Sequence, residues 1–247
     1  MNISAHLVLG LVVLGLGVTA PSAKAQSFIR TMGFVNFPEA VAVDTANGSN
    51  VLAVDSLNNQ VYVFSATGIF IRTIGSFGSG DGQLNTPQGV AVDTANGSNV
   101  LVADEGNNRV EVFSATGTFI RTIGSAGTGD GQLHDPIGVA VDTANGSNVL
   151  VADRSNNRVE VFSATGTFIR TIGSFGSGDG QLSSPEGVAV DLANGSNVIV
   201  ADSLNDRVEV FTSGNALPVP ALGIWGLLLS ALLLAGMGCH ATRRSVA

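Results

Sequence analysis

A chain of 247 residues has room for one or two domains, and with 32 glycines and only 12% charged residues it is rich in turns and poor in surface charge. All 19 acids fall between Glu39 and Glu209, and residues 26–214 set eight arginines and no lysine against them, a net charge of −11. So acidic a body repels phosphate backbones, which excludes nucleic acid as the expected partner.

The N-terminus runs apolar from Leu7 to Ala20 and continues into Ala23-Lys24-Ala25. That run is too short to span a bilayer, and the small residues after it read as a cleavage site. Residues 1–25 are therefore expected to be a secretory signal removed before Gln26.

Beyond it the chain repeats. Pro38, Pro87, Pro136 and Pro185 lie on a strict 49-residue period, and the copy from Pro87 to Asp135 recurs almost letter for letter from Pro136 to Ser184. The copies are residues 38–86, 87–135, 136–184 and a truncated 185–214. Self-similarity at such a period signals a repeat architecture. In the second copy, Gly89 to Asp93, Asn99 to Asp104, Arg109 to Phe113 and Thr118 to Gly124 are short Val-rich or aromatic runs bounded by turn formers. This predicts four strands joined by hairpins. One such sheet cannot bury both its faces, so copies must stack, and radial stacking gives an all-β fold, a β-propeller.

The same residues resemble the NHL repeat. PQGVAVD, NVLVADEGNNRVEVF and GTFIRTIGS carry the resemblance, which covers residues 28 to 214 and is met four times. The first copy departs from it with Ala40, Gln60 and Tyr62 where the second has Gly89, Arg109 and Glu111. Phe28 to Gly33, FIRTMG, copies the fourth strand ahead of the first full unit, while the last unit stops after its third strand, Arg207 to Phe211. The simplest expectation is that residues 26–37 supply the closing strand of the last blade, giving four blades of four strands without an open edge. Propellers of the NHL kind are commonly six-bladed, so an open arc stays open as an alternative. So does a ring shared by two chains, a homodimer formed by exchange of the N-terminal strand.

Two motifs invite a chemical reading and receive a structural one. The pattern D-x-x-N-x-R occurs as Asp104, Asn107, Arg109; as Asp153, Asn156, Arg158; and as Asp202, Asn205, Arg207, with Asp55 standing at the same place in the first copy. It recurs in blade after blade regardless of any single ligand, which favours an Asx-type turn closing a hairpin. The loops around Asp81, Asp130 and Asp179 offer one carboxylate each, too few for calcium. The Asn-Gly-Ser triplets at Asn47, Asn96, Asn145 and Asn194 match a glycosylation sequon but read more simply as hairpin turns, because Asn-Gly tolerates positive φ. With His134 the single histidine of the repeats and no cysteine among them, no catalytic residue, metal ligand or cofactor is expected.

The twin copies differ at seven positions: Gln88/Ile137, Glu105/Arg154, Gly106/Ser155, Ala126/Phe175, Thr128/Ser177, His134/Ser183 and Asp135/Ser184. These fall in the loop between strands two and three or in the connection to the next blade, which emerge at one end of a propeller. Glu39, Ser56, Leu57, Glu186, Ser203 and Leu204 extend the pattern to the outer copies. Loops on a rigid scaffold are where recognition is usually placed. The candidates for binding a protein or surface glycan are thus Glu39, Ser56, Leu57, Gln88, Glu105, Gly106, His134, Asp135, Ile137, Arg154, Ser155, Glu186, Ser203 and Leu204; drift after duplication is the competing explanation.

After a linker, residues 215–221, the stretch from Leu222 to Ala241 is long and apolar enough to cross a membrane as a helix, and residues 242–247 form a basic tail with Arg243 and Arg244. Cys239, the chain's only cysteine, lies in this stretch. Val219-Pro220-Ala221-Leu222-Gly223-Ile224-Trp225-Gly226, the apolar helix and the arginine pair resemble bacterial C-terminal sorting signals of the IPTL-CTERM and PEP-CTERM kind. That resemblance implies a sorting protease as a partner and a bacterial envelope location, with membrane anchorage before any cleavage and release to the surface or medium after it. The expected function is a non-catalytic binding module. The rivals are a propeller hydrolase or lyase with a channel metal and a structural, self-associating surface protein.

Overall fold

The computed structural model describes residues 29–33 and 35–214. The expected signal, Phe28, the linker, the expected membrane span and the basic tail lie outside the described residues. The first blade comprises β1 (Pro38–Asp44), β2 (Asn50–Asp55), β3 (Gln60–Phe64) and β4 (Phe70–Ile74). The second comprises β5 (Pro87–Asp93), β6 (Asn99–Asp104), β7 (Arg109–Phe113) and β8 (Phe119–Ile123). A short parallel pair, β9 (Ser125–Ala126) and β10 (Gln132–Leu133), lies in the connection to the third blade. That blade is β11 (Pro136–Asp142), β12 (Asn148–Asp153), β13 (Arg158–Phe162) and β14 (Phe168–Ile172), and the fourth is β15 (Pro185–Asp191), β16 (Asn197–Asp202) and β17 (Arg207–Phe211). Each blade is an antiparallel meander in chain order. The strands fall where the Val-rich runs predict them, because β-branched side chains fill a pleated surface buried on both faces.

Burial on both faces follows from alternation along single strands. In β6, Val100 and Val102 share a core cluster with Leu52, Val54, Val61 and Val63 of the first blade. Leu101 and Ala103, pointing the other way, share one with Val139, Val149, Val151 and Phe162 of the third. A third cluster joins Leu150, Val159 and Val161 to Val198 and Val200 of the last blade. At the inner strands the blades meet backbone to backbone. A Cβ on Gly89 would stand 2.2 Å from Ile137 O, and one on Gly138 2.6 Å from Glu186 O, so glycine is required at both.

Neighbouring blades are also riveted at the end that carries the Asn-Gly-Ser triplets. Asp93 Oδ1 accepts from the backbone of Ala95 and Asn96, and its Oδ2 from Asn96 Nδ2 at 2.7 Å. The positive φ falls on Gly97 (70°) and Ser98 (59°), not on the asparagine. Ser98 then donates its hydroxyl to Asp44 of the preceding blade at 2.7 Å, as Ser147 does to Asp93 and Ser196 to Asp142, each at 2.8 Å. The sequon-like triplet is an inter-blade fastener.

Four blades stack in an arc, and among the described residues no blade covers its two ends. β5 packs on β1 and on β11, and β11 on β15, but β15 and β1 lack this packing. Val41 and Val43 of the first blade are 70% and 50% exposed, whereas Val90 at the first of these positions in the next copy is 8%. Val208 and Val210 of the last blade are 65% and 61% exposed, whereas Val110 and Val112 are fully buried. Full burial of each such valine would stabilise by about 1.5–3 kcal/mol.

The expected closing strand is corrected here. The last sheet has three strands, β15-β16-β17, and residues 29–33 belong to no strand. The short stretch leading into β1 is held against the first blade instead. Met32, Gly33 and Val35 line an apolar pocket of about 290 Å³ with Val41, Val51, Ala53 and Phe64 of that blade. Asn36 donates its backbone N–H to Asp55 Oδ2 at 2.9 Å. Only five residues separate Met32 from Pro38, where twelve separate Ile74 from Pro87.

If the serine rivets hold blades together, Ser147→Ala, which leaves the buried Asp93 with one partner fewer, should destabilise by about 1–3 kcal/mol. Urea midpoints of variant and parent would measure this; equal midpoints would remove the rivet from the account.

Candidate functional site

The D-x-x-N-x-R motif is a clamp. Asp104, fully buried, accepts from Asn85 N at 2.6 Å, from Asn107 Nδ2 at 2.7 Å and from Arg109 Nε at 3.0 Å. Arg109 passes its remaining N–H groups to the carbonyls of Ser79, Gly80 and Gln83, and Asn107 also donates to Gly78 O. The motif thus closes its own turn and grips the Gly-rich connection arriving from the preceding blade. Asp153, Asn156 and Arg158 repeat the arrangement, as do Asp202, Asn205 and Arg207. In the first blade Asp55 holds Asn36 and Asn58 as Asp104 holds Asn85 and Asn107, but Gln60 stands where the arginine would be. The connection entering that blade is too short to need the longer grip.

Sequence reasoning passed over Glu111, Glu160 and Glu209, two residues after each clamp arginine. Arg109 Nε lies 2.9 Å from Glu111 Oε1, and Arg158 Nε the same distance from Glu160 Oε1. The signal was available as R-V-E in three copies, with Gln60 and Tyr62 replacing both partners together in the first. Glu111 is fully buried, and burial pushes its carboxyl up to about 7 against the opposing pull of Arg109. One of its oxygens, Oε2, has no hydrogen-bond partner, and Arg109 is shared with Asp104, so burial wins over the ion pair. Burial likewise raises the carboxyls of Asp104, Asp153 and Glu160. At Asp202 burial acts the same way, but hydrogen bonds from Ser183, Asn205 and Arg207 together outweigh it and the carboxyl is lowered.

A carboxyl whose pKa is raised on folding holds a proton that the unfolded chain has already released. Stability contributed this way is present at low pH and falls as pH rises from about 4.5 to about 7. Glu111→Gln keeps the shape and the acceptor for Arg109 while removing the titration. Its urea midpoint should therefore drop less between pH 4.5 and pH 8 than the parent's, the difference being on the order of 3 kcal/mol at most. Equal slopes would mean that Glu111 does not titrate in this range.

The variable residues of the twin copies largely satisfy one another. Gln88 Nε2 donates to Glu105 Oε2 at 2.9 Å, and Arg154 donates to Glu105 Oε1 across the blade boundary at 3.1 Å. Arg154 also lies 3.7 Å from Asp135, which accepts from Ser155 Oγ at 2.6 Å. Five of the expected contact residues thus form one chain of hydrogen bonds and ion pairs. Ser56 is only 4% exposed, and Gly106 presents no side chain: a Cβ there would stand 2.6 Å from Asn85 Nδ2. Both leave the set of accessible contacts. His134 is exposed, 4.0 Å from Asp135. Leu57 and Leu204 are 67% and 73% exposed; Ser203 is half-buried in a short 3-10 turn. Among the described residues no group of three His, Cys, Asp or Glu side chains could hold a metal ion.

The pair Glu105–Arg154 gives the divergence of the twins an internal cause. Arg154→Glu should set three carboxylates together and destabilise by about 1 kcal/mol, more at low salt, whereas adding Glu105→Arg should restore most of the loss. A double-mutant cycle on urea midpoints would check this; strictly additive effects would discard the pairing.

Beside this network lies a pocket of about 340 Å³ lined by the second and third residues of all four innermost strands and by the fourth of β5, β11 and β15. Glu39, Gln88, Ile137 and Glu186 stand at the second position of β1, β5, β11 and β15, the one position within the four-stranded blades at which the twins differ. Behind them lie Ala40, Gly89, Gly138 and Gly187, then Val90, Val139 and Val188. Two carboxylates, an amide and an apolar wall thus surround the axis of the arc.

Residues 84–113 match the NHL repeat, and residues 39–98 match a family described as a 6-bladed beta-propeller. No curated protein matches the sequence. Similar solved structures include a streptogramin B lyase, at 14% identity over 74% of this chain and 56% of that one, with a TM-score of 0.54. A nutrient binding protein from Bacteroides ovatus gives 14% identity over 72% and 49%, TM-score 0.56. A nidogen/laminin complex gives 20% over 72% and 65%, TM-score 0.55. The chain spans about half the length of the lyase. At these identities the likeness is one of fold: the described residues form four stacked propeller blades, with an NHL repeat matched over residues 84–113.

Proposed function

We propose that this protein is an exported bacterial envelope component, a non-catalytic module that binds a protein or surface glycan at the axial pocket. The observation that carries the reading is the convergence of Glu39, Gln88, Ile137 and Glu186 on one cavity. In a chain whose middle copies are nearly identical, this position holds glutamate in the outer copies and glutamine and isoleucine in the twins, and the clamps and rivets do not use it. Concave sites with an apolar wall and a few polar groups are the usual form of a ligand pocket. Two carboxylates and an amide suit a ligand rich in donors, an amine or a run of hydroxyls, that also presents an apolar face. The names of the similar structures span a lyase, a nutrient binding protein and a nidogen/laminin complex, so the fold serves both chemistry and recognition. Export rests on residues 1–25, and envelope anchorage on residues 222–241 with Arg243 and Arg244. Cutting of the tail by a sorting protease belongs to the same reading.

The full chain, immobilised and challenged with envelope proteins and with glycan fragments, should retain a partner that the variant Gln88→Ala/Ile137→Ala/Glu186→Ala loses by at least about tenfold, with an unchanged urea midpoint. Equal retention by the variant would remove the pocket from the reading. A stoichiometric divalent metal carried through purification would favour a channel-metal lyase or hydrolase instead.

A further inference from the structure

The bare faces at the two ends of the arc are copies of faces that mate inside it. On the last blade, Val208 and Val210 stand where Val110 and Val112 bury themselves against the third blade. On the first, Val41, 70% exposed, stands where Val90 buries itself against the first blade, while Val51 and Ala53, at the positions of Val100 and Val102, are already partly covered beside Met32, Gly33 and Val35. The chain therefore displays both halves of an interface that it also builds three times.

The polar fasteners of that interface are left half-made at the same two ends. Asp44, Asp93 and Asp142 each receive a serine hydroxyl from the following blade. Asp191, the next in the series, accepts only from Ala193 and Asn194, and Ser49, the first serine, reaches no carboxylate among the described residues. A second fastener runs from the backbone N–H before each blade's proline to the preceding copy: Thr86 to Asn59 at 2.7 Å, Asp135 to Asn108 and Ser184 to Asn157 at 2.9 Å. Its unpaired ends are Phe37, whose φ of 51° matches the 50° of Thr86, and Asp206, which keeps an acceptor oxygen at the asparagine position. Finally, Gly187 occupies the position where Gly89 and Gly138 admit the next blade's backbone, yet a Cβ there would meet only Ala201 Cβ, at 3.3 Å. No positive φ requires it.

We propose that the free face of the fourth blade docks on the free face of the first blade of a second copy of this chain, continuing the stack head to tail across molecules. The contact pairs Asp191 with the partner copy's Ser49 and Asp206 with its Phe37 N–H, and brings the partner's inner strand to Gly187. At the position where Glu105 meets Arg154 the ends carry Ser203 and Ser56, so no like charges oppose it. The contact is heterologous: it yields a ring if the rotation closes and an open run if it does not. It is independent of what the axial pocket binds.

The test uses two full-length chains, Ser49→Cys and Asp191→Cys, each also carrying Cys239→Ser, with a short bis-maleimide as the probe. Each alone should give no covalent dimer, and the two mixed should give one. Asp93→Cys/Ser147→Cys within one chain, the same rivet between adjacent blades, confirms that the chemistry reaches. A silent mixture beside a reacting control overturns the proposal. So does a Ser49→Cys/Asp191→Cys chain that links only to itself, which would mean that the arc closes on its own ends, and so does occupancy of the face by another segment of the chain, seen as a monomer by light scattering in detergent. Val208→Glu, exposed in the lone chain and so harmless to its folding, should cut the cross-linked yield of the mixture at least about tenfold; an unchanged yield counts against the face-to-face contact.

Discussion

The structure depends on one constraint: a four-stranded blade of this sequence is apolar on both faces and so must be covered on both. Strand β6 shows it within four residues, Val100 and Val102 turned to one neighbour and Leu101 and Ala103 to the other. Stacking is therefore a condition of each blade's existence rather than a way of arranging finished units. The remaining features serve that stack. Glycines 89 and 138 let the inner strands close up, the Asp–Ser rivets tie neighbours at one end, and the Asp-Asn-Arg clamps tie each incoming connection at the other. The same constraint marks where the structure is unfinished, at the two faces with no blade beside them.

Most of the fold was legible because periodicity writes it twice, once in the alternation along a strand and once in the 49-residue spacing. The runs from Asn99 to Asp104 and from Arg109 to Phe113 are strands over those bounds, and the fourth strand is one residue shorter at each end than the run that predicted it. The N-terminal FIRTMG was not legible in the same way. Its letters say that it suits an outer strand; they do not say which sheet pairs with it, because pairing depends on where the flanking chain is held. Asn36 is pinned to Asp55 as Asn85 is to Asp104, so the repeat register holds from there on, but only five residues separate Met32 from Pro38 where twelve separate Ile74 from Pro87, and that shortening, not the letters of FIRTMG, decides where the segment lies. Glu111 escaped for a related reason. A lone acid in a Val-rich strand reads as a solvent-facing residue, and only the connection crossing above it turns that face into an interior.

The candidate site was legible as an end of the molecule but not as a particular surface. Comparing the twins pointed to one end correctly for the residues that meet there: Gln88, Glu105, Asp135, Arg154 and Ser155 are joined by contacts of 3.7 Å or less. Sequence comparison weighed recognition against drift, and side-chain geometry adds a third cause, since the differing residues pair with each other. Gln88 belongs to that network as well, so the second position of the inner strands is singled out by its convergence on the axis rather than by exclusion.

Near-identity of neighbouring blades carries its own hazard, for identical interfaces can mate in the wrong combination, within a chain or between chains. The Glu105–Arg154 pair bears on this directly. Because the two residues occupy the same position in successive copies, a second blade set against another second blade opposes Glu105 to Glu105. A third blade set against another third opposes Arg154 to Arg154. Only unlike copies bring opposite charges together, so a substitution that looks like divergence works as a rule of succession, imposed where the hydrophobic faces, being the same, cannot impose one. The outer copies carry serine at that position and take no part in the rule, which leaves the ends of the arc open to whatever their apolar faces and unpaired fasteners select.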